Sequence, residues 1–265
     1  MDEDKNFALV TGASSGIGLA MSRELARRGY PLLLISNEEE KIFETAGETG
    51  KEFKVRTIPL YMDLAQRDSA KKIFDYCGNN NIKIEILVNN AGIFFFRDIT
   101  DTMSERIEMT INLHILTPSL LCRLFAEQMT LENRKGYILN MASIAAWMMM
   151  PGITLYNATK SYLRCFSRAM RNEIFNRNIS ITTVCPGAVA TGLYGLAPRY
   201  MKLGISLGII ITPERLASKA IHRMFQKKSE YIPGGLVNRL FICIFKSLPE
   251  WLIRRIKRKL DELIM

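Results

Sequence analysis

The sequence predicts one α/β domain in which a doubly wound parallel sheet carries helices on both faces. Short apolar segments rich in β-branched residues alternate with longer amphipathic segments, as parallel strands alternate with crossover helices. Glycines and polar residues directly follow these apolar segments, where the carboxyl ends of parallel strands form a ligand crevice. We expect this domain to span residues 1–233, including an apolar lid at 191–212. A C-terminal amphipathic helical extension is expected at 234–265.

Six strands are expected in chain order, and each is followed by a helix. The first, Phe7–Thr11, precedes a glycine-rich turn and an amphipathic helix that ends at Gly29, a residue typical of helix carboxyl ends. Right-handed crossovers would place the helices on both faces of the sheet. The other five strands are expected at Leu32–Ser36, 54–61, Ile84–Asn89, 137–142 and 179–185.

The turn after the first strand predicts a nucleotide site. Residues 11–18 read Thr-Gly-Ala-Ser-Ser-Gly-Ile-Gly, between the first strand and its helix. Glycines there let the backbone approach a pyrophosphate, whose charge the amino end of the helix stabilises. The glycine spacing differs from the common Gly-x-Gly-x-x-Gly dinucleotide motif.

Tyr156 and Lys160 form a second motif, which predicts acid–base chemistry. Residues four apart lie on one face of a helix, so the lysine ammonium can approach the phenol. An isolated tyrosine has a pKa near about 10, and a neighbouring cation favours its phenolate. The pair would therefore exchange a proton with a substrate near neutral pH.

Together these motifs resemble the short-chain dehydrogenase/reductase family over roughly residues 6–192. The resemblance implies a Rossmann-type fold and an NAD(P)-dependent oxidoreductase that moves a hydride to or from a carbonyl carbon. Further motif residues of the family follow in the expected order along the chain: Asp63-Leu64, Asn89-Asn90-Ala91-Gly92, Asn112, Ser143, and Pro186-Gly187 with Thr191.

The resemblance implies four catalytic residues. Ser143 would hydrogen-bond the substrate carbonyl, Tyr156 would exchange the proton, and Lys160 would also bind the nicotinamide ribose. Asn112 would hold a water in a proton relay to the lysine. Alternatives from local chemistry are a turn-capping serine and a buried helix asparagine bonded to backbone.

The cofactor contacts are also implied by the resemblance. Asp63 would contact adenine, Asn90 the adjoining backbone and ribose, and Thr191 the nicotinamide carboxamide, with ordinary turn chemistry as the alternative for the first two. The expected cofactor-binding residues are Gly12, Ser14, Ser15, Gly16, Ile17, Gly18, Ser36, Asn37, Asp63, Leu64, Asn90, Ala91, Gly92, Tyr156, Lys160, Pro186, Gly187, Val189 and Thr191.

The choice between NAD and NADP rests on the end of the second strand. NAD enzymes place a carboxylate there, whereas NADP enzymes place a cation for the 2′-phosphate. Ser36 and Asn37 offer neutral hydrogen-bond donors, and Ser15 stands where NADP enzymes often have a basic residue. NADP is favoured because no aspartate repels the phosphate at this point. Glu38 keeps NAD as the alternative.

Apolar segments at 93–96, 147–150 and 193–211 are expected to border the nicotinamide. Methionines and aromatic residues suit an adaptable apolar pocket, so the substrate is expected to be an apolar ketone or alcohol, 3-oxoacyl or steroid-like. Core or subunit contacts are the alternative for these segments. A homo-oligomer, dimer or tetramer, is also expected.

Composition excludes several other classes. The net charge of +10 comes from dispersed lysines and arginines without a nucleic-acid module, so nucleic-acid binding is not expected. The five cysteines lack metal or redox spacing, and the two histidines stand apart, so no metal site is expected. The acidic amino terminus does not resemble a secretory signal, which favours a cytoplasmic protein with reduced thiols.

The last segment of the chain combines an apolar stripe with a basic face. Leu252, Ile253, Ile256, Leu260, Leu263 and Ile264 share one side of the expected helix. This helix would either lie on an anionic membrane or pack on the domain or a second subunit. Two rival functions follow: a catalytically idle dinucleotide-binding protein of the same fold, and a membrane-surface binding protein. A sugar epimerase is less consistent with the chain length and glycine spacing.

Overall fold

The computed structural model describes residues 6–191 and 210–264. Seven strands in this part of the chain form one parallel sheet with the order β3-β2-β1-β4-β5-β6-β7. The α/β fold and its six main strands agree with the sequence prediction. The strands are β1 Phe7–Thr11, β2 Leu32–Ser36, β3 Thr57–Tyr61, β4 Ile84–Asn89, β5 Gly136–Met141, β6 Ile179–Val184 and β7 Glu230–Tyr231.

Helices cover the sheet on both sides. A π-helical turn, Asn112–Leu116, makes α4 and α5 continuous, and 3-10 turns occupy Ile99–Asp101 and Ile144–Trp147. The described helices are α1 Gly16–Arg27, α2 Glu39–Phe53, α3 Ser69–Asn79, α4 Ser104–Ile111, α5 Thr117–Leu131, α6 Thr154–Glu173, α7 Pro213–Phe225, α8 Gly235–Lys246 and α9 Glu250–Ile264.

Two hydrophobic cores lie on opposite faces of the sheet, because successive strand side chains alternate in direction. Val10 of β1 belongs to the core that includes Leu25 of α1 and Leu216 of α7. Its neighbour Leu9 belongs to the other core, with Phe125 of α5. All five side chains are fully buried. Burial on both faces explains why the strands read as continuous apolar runs.

The direction of the chain reverses at β1. Strand β1 pairs with β2 on one side and with β4 on the other, so successive crossovers leave in opposite directions. A crevice forms at the carboxyl ends of strands where this reversal occurs. Gly12 follows β1 and Asn90 follows β4, which places both residues at this crevice.

One described helical run is long and apolar enough to cross a membrane. It spans the 28 residues Ser104–Leu131. The run consists of α4, the π turn and α5. Leu121, Phe125 and Met129 on α5 are fully buried in the core of the sheet. Packing of α5 in the core accounts for the apolar side chains of this helical run. The run is therefore weak evidence for a membrane span.

The C-terminal helices pack on the domain. Helix α8 contacts the 3-10 turn Ile144–Trp147. On α9, the Lys257 ammonium lies 2.9 Å from a carboxylate oxygen of Asp98, which precedes another 3-10 turn. These contacts give the extension an intramolecular partner. Most of the lid expected at 191–212 lies outside the described residues.

Candidate active site

A cleft of about 580 Å³ opens at the carboxyl ends of the strands. It brings together residues from eight separate segments of the sequence. The sequence-predicted residues that line it are Gly12, Ser14, Ser15, Gly16, Ile17, Ser36, Asn37, Asp63, Leu64, Asn90, Ala91, Gly92, Ser143, Tyr156, Lys160, Pro186, Val189 and Thr191. Three predicted residues, Gly18, Asn112 and Gly187, are not among its lining residues.

The glycine turn has the geometry of a phosphate site. Gly12 has a φ of 65° and Gly16 a φ of 54°, both in the left-handed region that side chains disfavour. A Cβ on Gly12 would lie 2.9 Å from the Ala91 Cα. Helix α1 begins at Gly16 with no acidic side chain in its first turn. Its amino end can therefore stabilise an anion with backbone N–H groups.

Gly18 contributes packing to this turn, although it is not a lining residue. A Cβ at Gly18 would lie 1.9 Å from the Gly12 carbonyl oxygen, which no side chain could tolerate. The absence of a side chain lets α1 start directly against the turn. Gly18 therefore supports the site indirectly, which explains its place in the motif without a lining contact.

Thr11 and Asn90 tie the glycine turn to the end of β4. The Thr11 hydroxyl oxygen accepts hydrogen bonds from the backbone N–H groups of Asn90 and Ala91, at 2.9 and 3.1 Å. The Asn90 side chain donates to the carbonyl oxygens of Thr11 and Gly12, at 3.0 and 3.3 Å. Asn90 thus holds the backbone of the turn, and its expected contact with a cofactor ribose stays a prediction. The bridging contact of Thr11 was not predicted from the sequence.

Serine hydroxyls and one ion pair occupy the end of the cleft beyond β2. Ser14 Oγ lies 2.8 Å from Ser36 Oγ and donates to Glu38 at 2.7 Å. Glu38 also pairs with Lys41 on the first turn of α2. The hydrogen bonds from Lys41 and then Ser14 lower the pKa of the Glu38 carboxyl group. Lys41 was not predicted, yet it lines the cleft and supplies a cation there.

Asp63 lies at the start of the turn after β3 and lines the same cleft. One carboxylate oxygen accepts a hydrogen bond from the Ala65 backbone at 2.9 Å, and the other accepts one from Gln66 at 3.2 Å. These bonds are the ordinary turn chemistry expected of aspartate. They fix the carboxylate at the edge of the cleft.

Ser143 and Tyr156 line the cleft on the far side of the sheet reversal. Ser143 is buried and its Oγ accepts a hydrogen bond from the Ala145 backbone at 3.1 Å, so it also caps the 3-10 turn. The Tyr156 ring is buried and meets Phe94 edge-on, with centroids 5.1 Å apart. Both side chains are held by packing, which suits groups that must meet one substrate atom.

Lys160 is a buried lysine beside Tyr156. Its ammonium lies 5.6 Å from the centroid of the Tyr156 ring and donates to the Met141 carbonyl oxygen at 3.0 Å. Burial lowers the pKa of Lys160 from 10.5 to about 8. The sequence predicts that this cation favours the phenolate of Tyr156, and that activation stays a prediction.

His114 is a buried contact that sequence reasoning missed. Its Nε2 accepts a hydrogen bond from the Ile93 backbone at 2.9 Å, and its Nδ1 lies 3.0 Å from the Thr159 hydroxyl. Burial, and next the charge of Lys160, lower the pKa of His114 well below 6.5. The imidazole is thus neutral, joining the segment after β4 to α6. The available signal was a histidine two residues after Asn112, within the same expected helix.

Asn112 is the first residue of the π-helical turn between α4 and α5. Such turns interrupt the regular hydrogen-bond ladder and often occur at functional sites. The turn places His114 toward Lys160 and Tyr156, whereas Asn112 itself does not line the cleft. Its assigned role in a proton relay stays a prediction.

Comparison with known proteins identifies relatives of this chain. The short chain dehydrogenase family model matches residues 6–198. The human very-long-chain 3-oxoacyl-CoA reductase is 30% identical over 262 residues, covering 97% of this chain and 80% of that protein. The reductase of the same name from Anas platyrhynchos is 37% identical over 192 residues. That match covers 70% of this chain and 60% of the relative, so it spans less than two thirds of the relative's length.

Solved structures share the fold. A short-chain dehydrogenase from Sphingobium yanoikuyae in complex with NADPH has a TM-score of 0.78 at 24% identity, covering 89% of this chain and 91% of that one. L-sorbose reductase from Gluconobacter frateurii, complexed with NADPH and L-sorbose, has a TM-score of 0.75 at 25% identity, covering 89% and 98%. The chain belongs to the short-chain dehydrogenase family and is an NAD(P)-dependent oxidoreductase.

Proposed function

We propose that this protein is a reductase of apolar 3-oxoacyl thioesters that uses NADPH in preference to NADH. The observation that carries the proposal is the single cleft that Ser143, Tyr156 and Lys160 share with the amino end of α1. The names of the relatives support the 3-oxoacyl class, since they are very-long-chain 3-oxoacyl-CoA reductases.

The chemistry of the proposed reaction is divided among the three side chains. When bound, the nicotinamide cofactor supplies the hydride that the carbonyl carbon accepts. The Ser143 hydroxyl donates a hydrogen bond to the carbonyl oxygen as negative charge develops there. Tyr156 gives its phenolic proton to that oxygen, and Lys160 favours the phenolate that remains.

The walls of the cleft support an apolar substrate. Ile93, Met109, Leu113 and Met141 line it near the catalytic side chains, and Phe94 packs on the Tyr156 ring. Apolar walls with a few fixed polar groups are typical of sites for small apolar ligands. A thioester with a hydrocarbon chain fits this surface better than a polyol does.

Tyr156→Phe tests the proposed function. Wild-type protein with NADPH should reduce a series of 3-oxoacyl thioesters, with kcat/KM rising as the acyl chain lengthens. Because Tyr156→Phe removes the proton donor and keeps the ring, it should lower kcat by more than about 10²-fold and leave NADPH affinity within about twofold. Turnover of other ketones but no thioester would refute the substrate class. Activity of Tyr156→Phe within tenfold of wild type would refute the catalytic assignment.

The preference for NADPH is supported by Lys41, which lines the cleft beyond β2 beside the Ser14 and Ser36 hydroxyls. A cation and neutral donors suit the 2′-phosphate. The Glu38 carboxylate opposes that phosphate unless Lys41 neutralises it. The NADPH complexes among the related folds are consistent with this preference.

We also propose that the protein is cytoplasmic, is a homo-oligomer and contacts an anionic membrane surface through its C-terminal helices. Exposed apolar side chains support the membrane contact: Leu240 and Ile244 on α8, and Trp251 on α9. Exposed cations accompany them, including Arg239, Lys246 and Arg255. Apolar groups beside cations are typical of helices that lie on anionic lipid.

A further inference from the structure

A second cavity lies between the C-terminal helix α9 and the amino end of α6. Its volume is about 580 Å³, within the range of small-molecule sites. It has no lining residue in common with the cofactor cleft. Three methionines in a row, at positions 148–150, form one wall with Pro151. Methionine side chains adapt to flexible apolar chains, so this wall suits a hydrocarbon.

A nearly buried asparagine also lines the cavity. Asn157 lines it and is only 6% exposed. Its Nδ2 donates to the Met150 carbonyl oxygen at 3.2 Å, but its Oδ1 has no hydrogen-bond partner among the described residues. A buried amide oxygen without a donor destabilises the fold. This oxygen is itself covered by the protein, so a ligand N–H or O–H group would reach it after the Asn157 side chain turns toward the cavity.

Two cations line the remaining side of the cavity, on α9. Arg254 is 75% exposed at its side chain and pairs with Glu250 on the same helix. Lys257 is largely covered and pairs with Asp98 of the domain. The residues that line the cavity therefore include an apolar wall, an asparagine with an unsatisfied oxygen and two cations.

We propose that this cavity binds an anionic amphiphile whose chain carries an N–H or O–H donor, as the amide-bearing arm of an acyl-CoA does. The chain would lie on the methionines, and its anionic end would approach Arg254 and Lys257. Its donor would reach Asn157 Oδ1 once that side chain turns toward the cavity. Two sources share this chemistry: the carrier arm of the enzyme's own substrate, which rests on the proposed function, or a separate amphiphile. The cavity borders the segment between Ser143 and α6, so an occupant would contact the structure that positions Tyr156.

Palmitoyl-CoA tests the proposal, because it has no 3-oxo group to reduce. Its binding to full-length protein with NADP⁺ present is measured by calorimetry below its micelle-forming concentration. Ala158 is exposed on α6 and lines the cavity, so Ala158→Trp should fill the cavity and weaken binding at least tenfold. Ala169→Trp places the same side chain at an exposed position of α6 outside the cavity, and it should change affinity less than twofold.

The charged side of the cavity is tested separately. Arg254→Gln should weaken palmitoyl-CoA binding about threefold or more, whereas the exposed neighbour Arg255→Gln should have less than half that effect. Wild-type protein that does not bind palmitoyl-CoA would overturn the proposal. Equal affinities of Ala158→Trp and Ala169→Trp would also overturn it.

Kinetics distinguish the two sources and separate this proposal from the proposed function. If the cavity holds the substrate's own arm, palmitoyl-CoA should inhibit 3-oxoacyl-CoA reduction competitively, and Ala158→Trp should raise KM for that thioester but not for a small ketone. If the ligand is separate, inhibition or activation should not be competitive. Binding by a protein that reduces no thioester would refute the proposed function and leave the cavity proposal supported.

Discussion

Lys160 lies at a catalytic position, and its buried charge lowers the folding stability of the protein. The side chain is 4% exposed, and burial lowers its pKa from 10.5 to about 8. A group whose charged form is disfavoured in the folded state lowers the stability of the protein at every pH at which the group is still charged. The unfolded chain binds more protons between pH 8 and 10.5, so folding stability should rise with pH through this window. The penalty is fully present below pH 8.

We therefore expect Lys160→Met to stabilise the cofactor-free protein while abolishing turnover. A shift from 10.5 to about 8 corresponds to roughly 3 kcal/mol, less about 1 kcal/mol for the lost hydrogen bond to Met141. Urea denaturation at pH 7 and pH 10.5 measures the gain, which should shrink at the higher pH. A variant less stable than wild type at pH 7 would show that the buried charge carries no penalty.

Glu38 and Lys41 should set the cofactor preference in opposite directions. Glu38→Gln removes a carboxylate that repels a 2′-phosphate, so the ratio of kcat/KM for NADPH to that for NADH should rise about tenfold. Lys41→Gln leaves the carboxylate without its cation, so the same ratio should fall by a similar factor. Both effects should weaken at high salt, because the pair is partly exposed.

Lys51→Gln is the matched control for this comparison. Lys51 lies in the last turn of α2 and is exposed away from the cleft, so its removal changes net charge equally. The ratio of the two kcat/KM values should stay within twofold of wild type. If Lys51→Gln matched Lys41→Gln, the preference would reflect overall charge and not this pair.

At the scale of elements, the π turn Asn112–Leu116 connects three parts of the site. It brings His114 against the Ile93 backbone and the Thr159 hydroxyl of α6. Gly92 is close to the same imidazole, since a Cβ there would lie 3.0 Å from His114 Nε2. His114 therefore acts as a positioning residue that sets α6, and with it Tyr156, against the segment after β4.

His114→Leu should destabilise the protein by about 1–3 kcal/mol, because the Ile93 N–H loses its buried acceptor. If the contact also positions α6, kcat should fall while KM for the cofactor changes little. His114→Gln offers both an acceptor and a donor, so it should restore part of kcat. An unchanged kcat in the leucine variant would leave His114 a purely structural role.

The pH dependence of stability gives a further check on the same residue. The folded protein keeps His114 neutral, whereas the unfolded chain protonates it below about pH 6.5. The unfolded state then binds more protons, so stability should fall as the pH drops below 6.5. His114→Gln lacks this group and should lose less stability than wild type between pH 7 and pH 5. Parallel losses would contradict the assigned neutral state.

The elements show how far sequence reasoning extends. Local patterns predicted β1, β2 and β4 to the residue, because fully buried parallel strands are continuous apolar runs. The predicted start of β3 at 54 was three residues early, since Lys54 closes α2 with a φ of 55°. The two-residue strand β7 has no apolar run to mark it.

The site was predictable where one motif fixes both position and chemistry, as in the glycine turn and the Tyr156–Lys160 pair. The contacts of Lys41 and His114 depend on how separate segments meet in space. Lys41 is one of several charged residues on α2, and His114 belongs to a π turn that periodicity does not show. Such contacts need the tertiary structure. Asn112 keeps its predicted role in the relay without a lining contact to support it.

At the scale of the molecule, the C-terminal helices have an inner side that lines the second cavity and an outer side that is exposed. The inner side of α9 contributes Ile253 and Lys257 to the second cavity. Intramolecular packing, one of the two readings of the tail, thus accounts for part of the helix. The outer surface still exposes Leu240, Ile244 and Trp251. These three side chains are exposed on the C-terminal helices, whereas Leu252 and Ile253 of the stripe expected on α9 are only partly exposed.

We expect full-length protein to bind vesicles that contain anionic lipid at low salt and to bind neutral vesicles much less. Replacing Leu240 and Ile244 with Asp should reduce co-sedimentation at least fivefold. Both apolar side chains are more than half exposed and would insert into the lipid, whereas aspartate would have to lose its hydration there. The cofactor site is elsewhere, so NADPH affinity should be unchanged.

Leu131 and Phe175 provide the matched control, since they are more exposed than Leu240 and Ile244 but lie outside the C-terminal helices. Replacing them with Asp changes charge and surface hydrophobicity to the same degree, and it should leave vesicle binding within twofold. Equal losses in the two double variants would mean that binding follows general surface hydrophobicity. Failure of the wild-type protein to bind anionic vesicles at low salt would exclude the membrane contact and leave α8 to a protein partner, because its exposed leucine and isoleucine would still lack a covering surface.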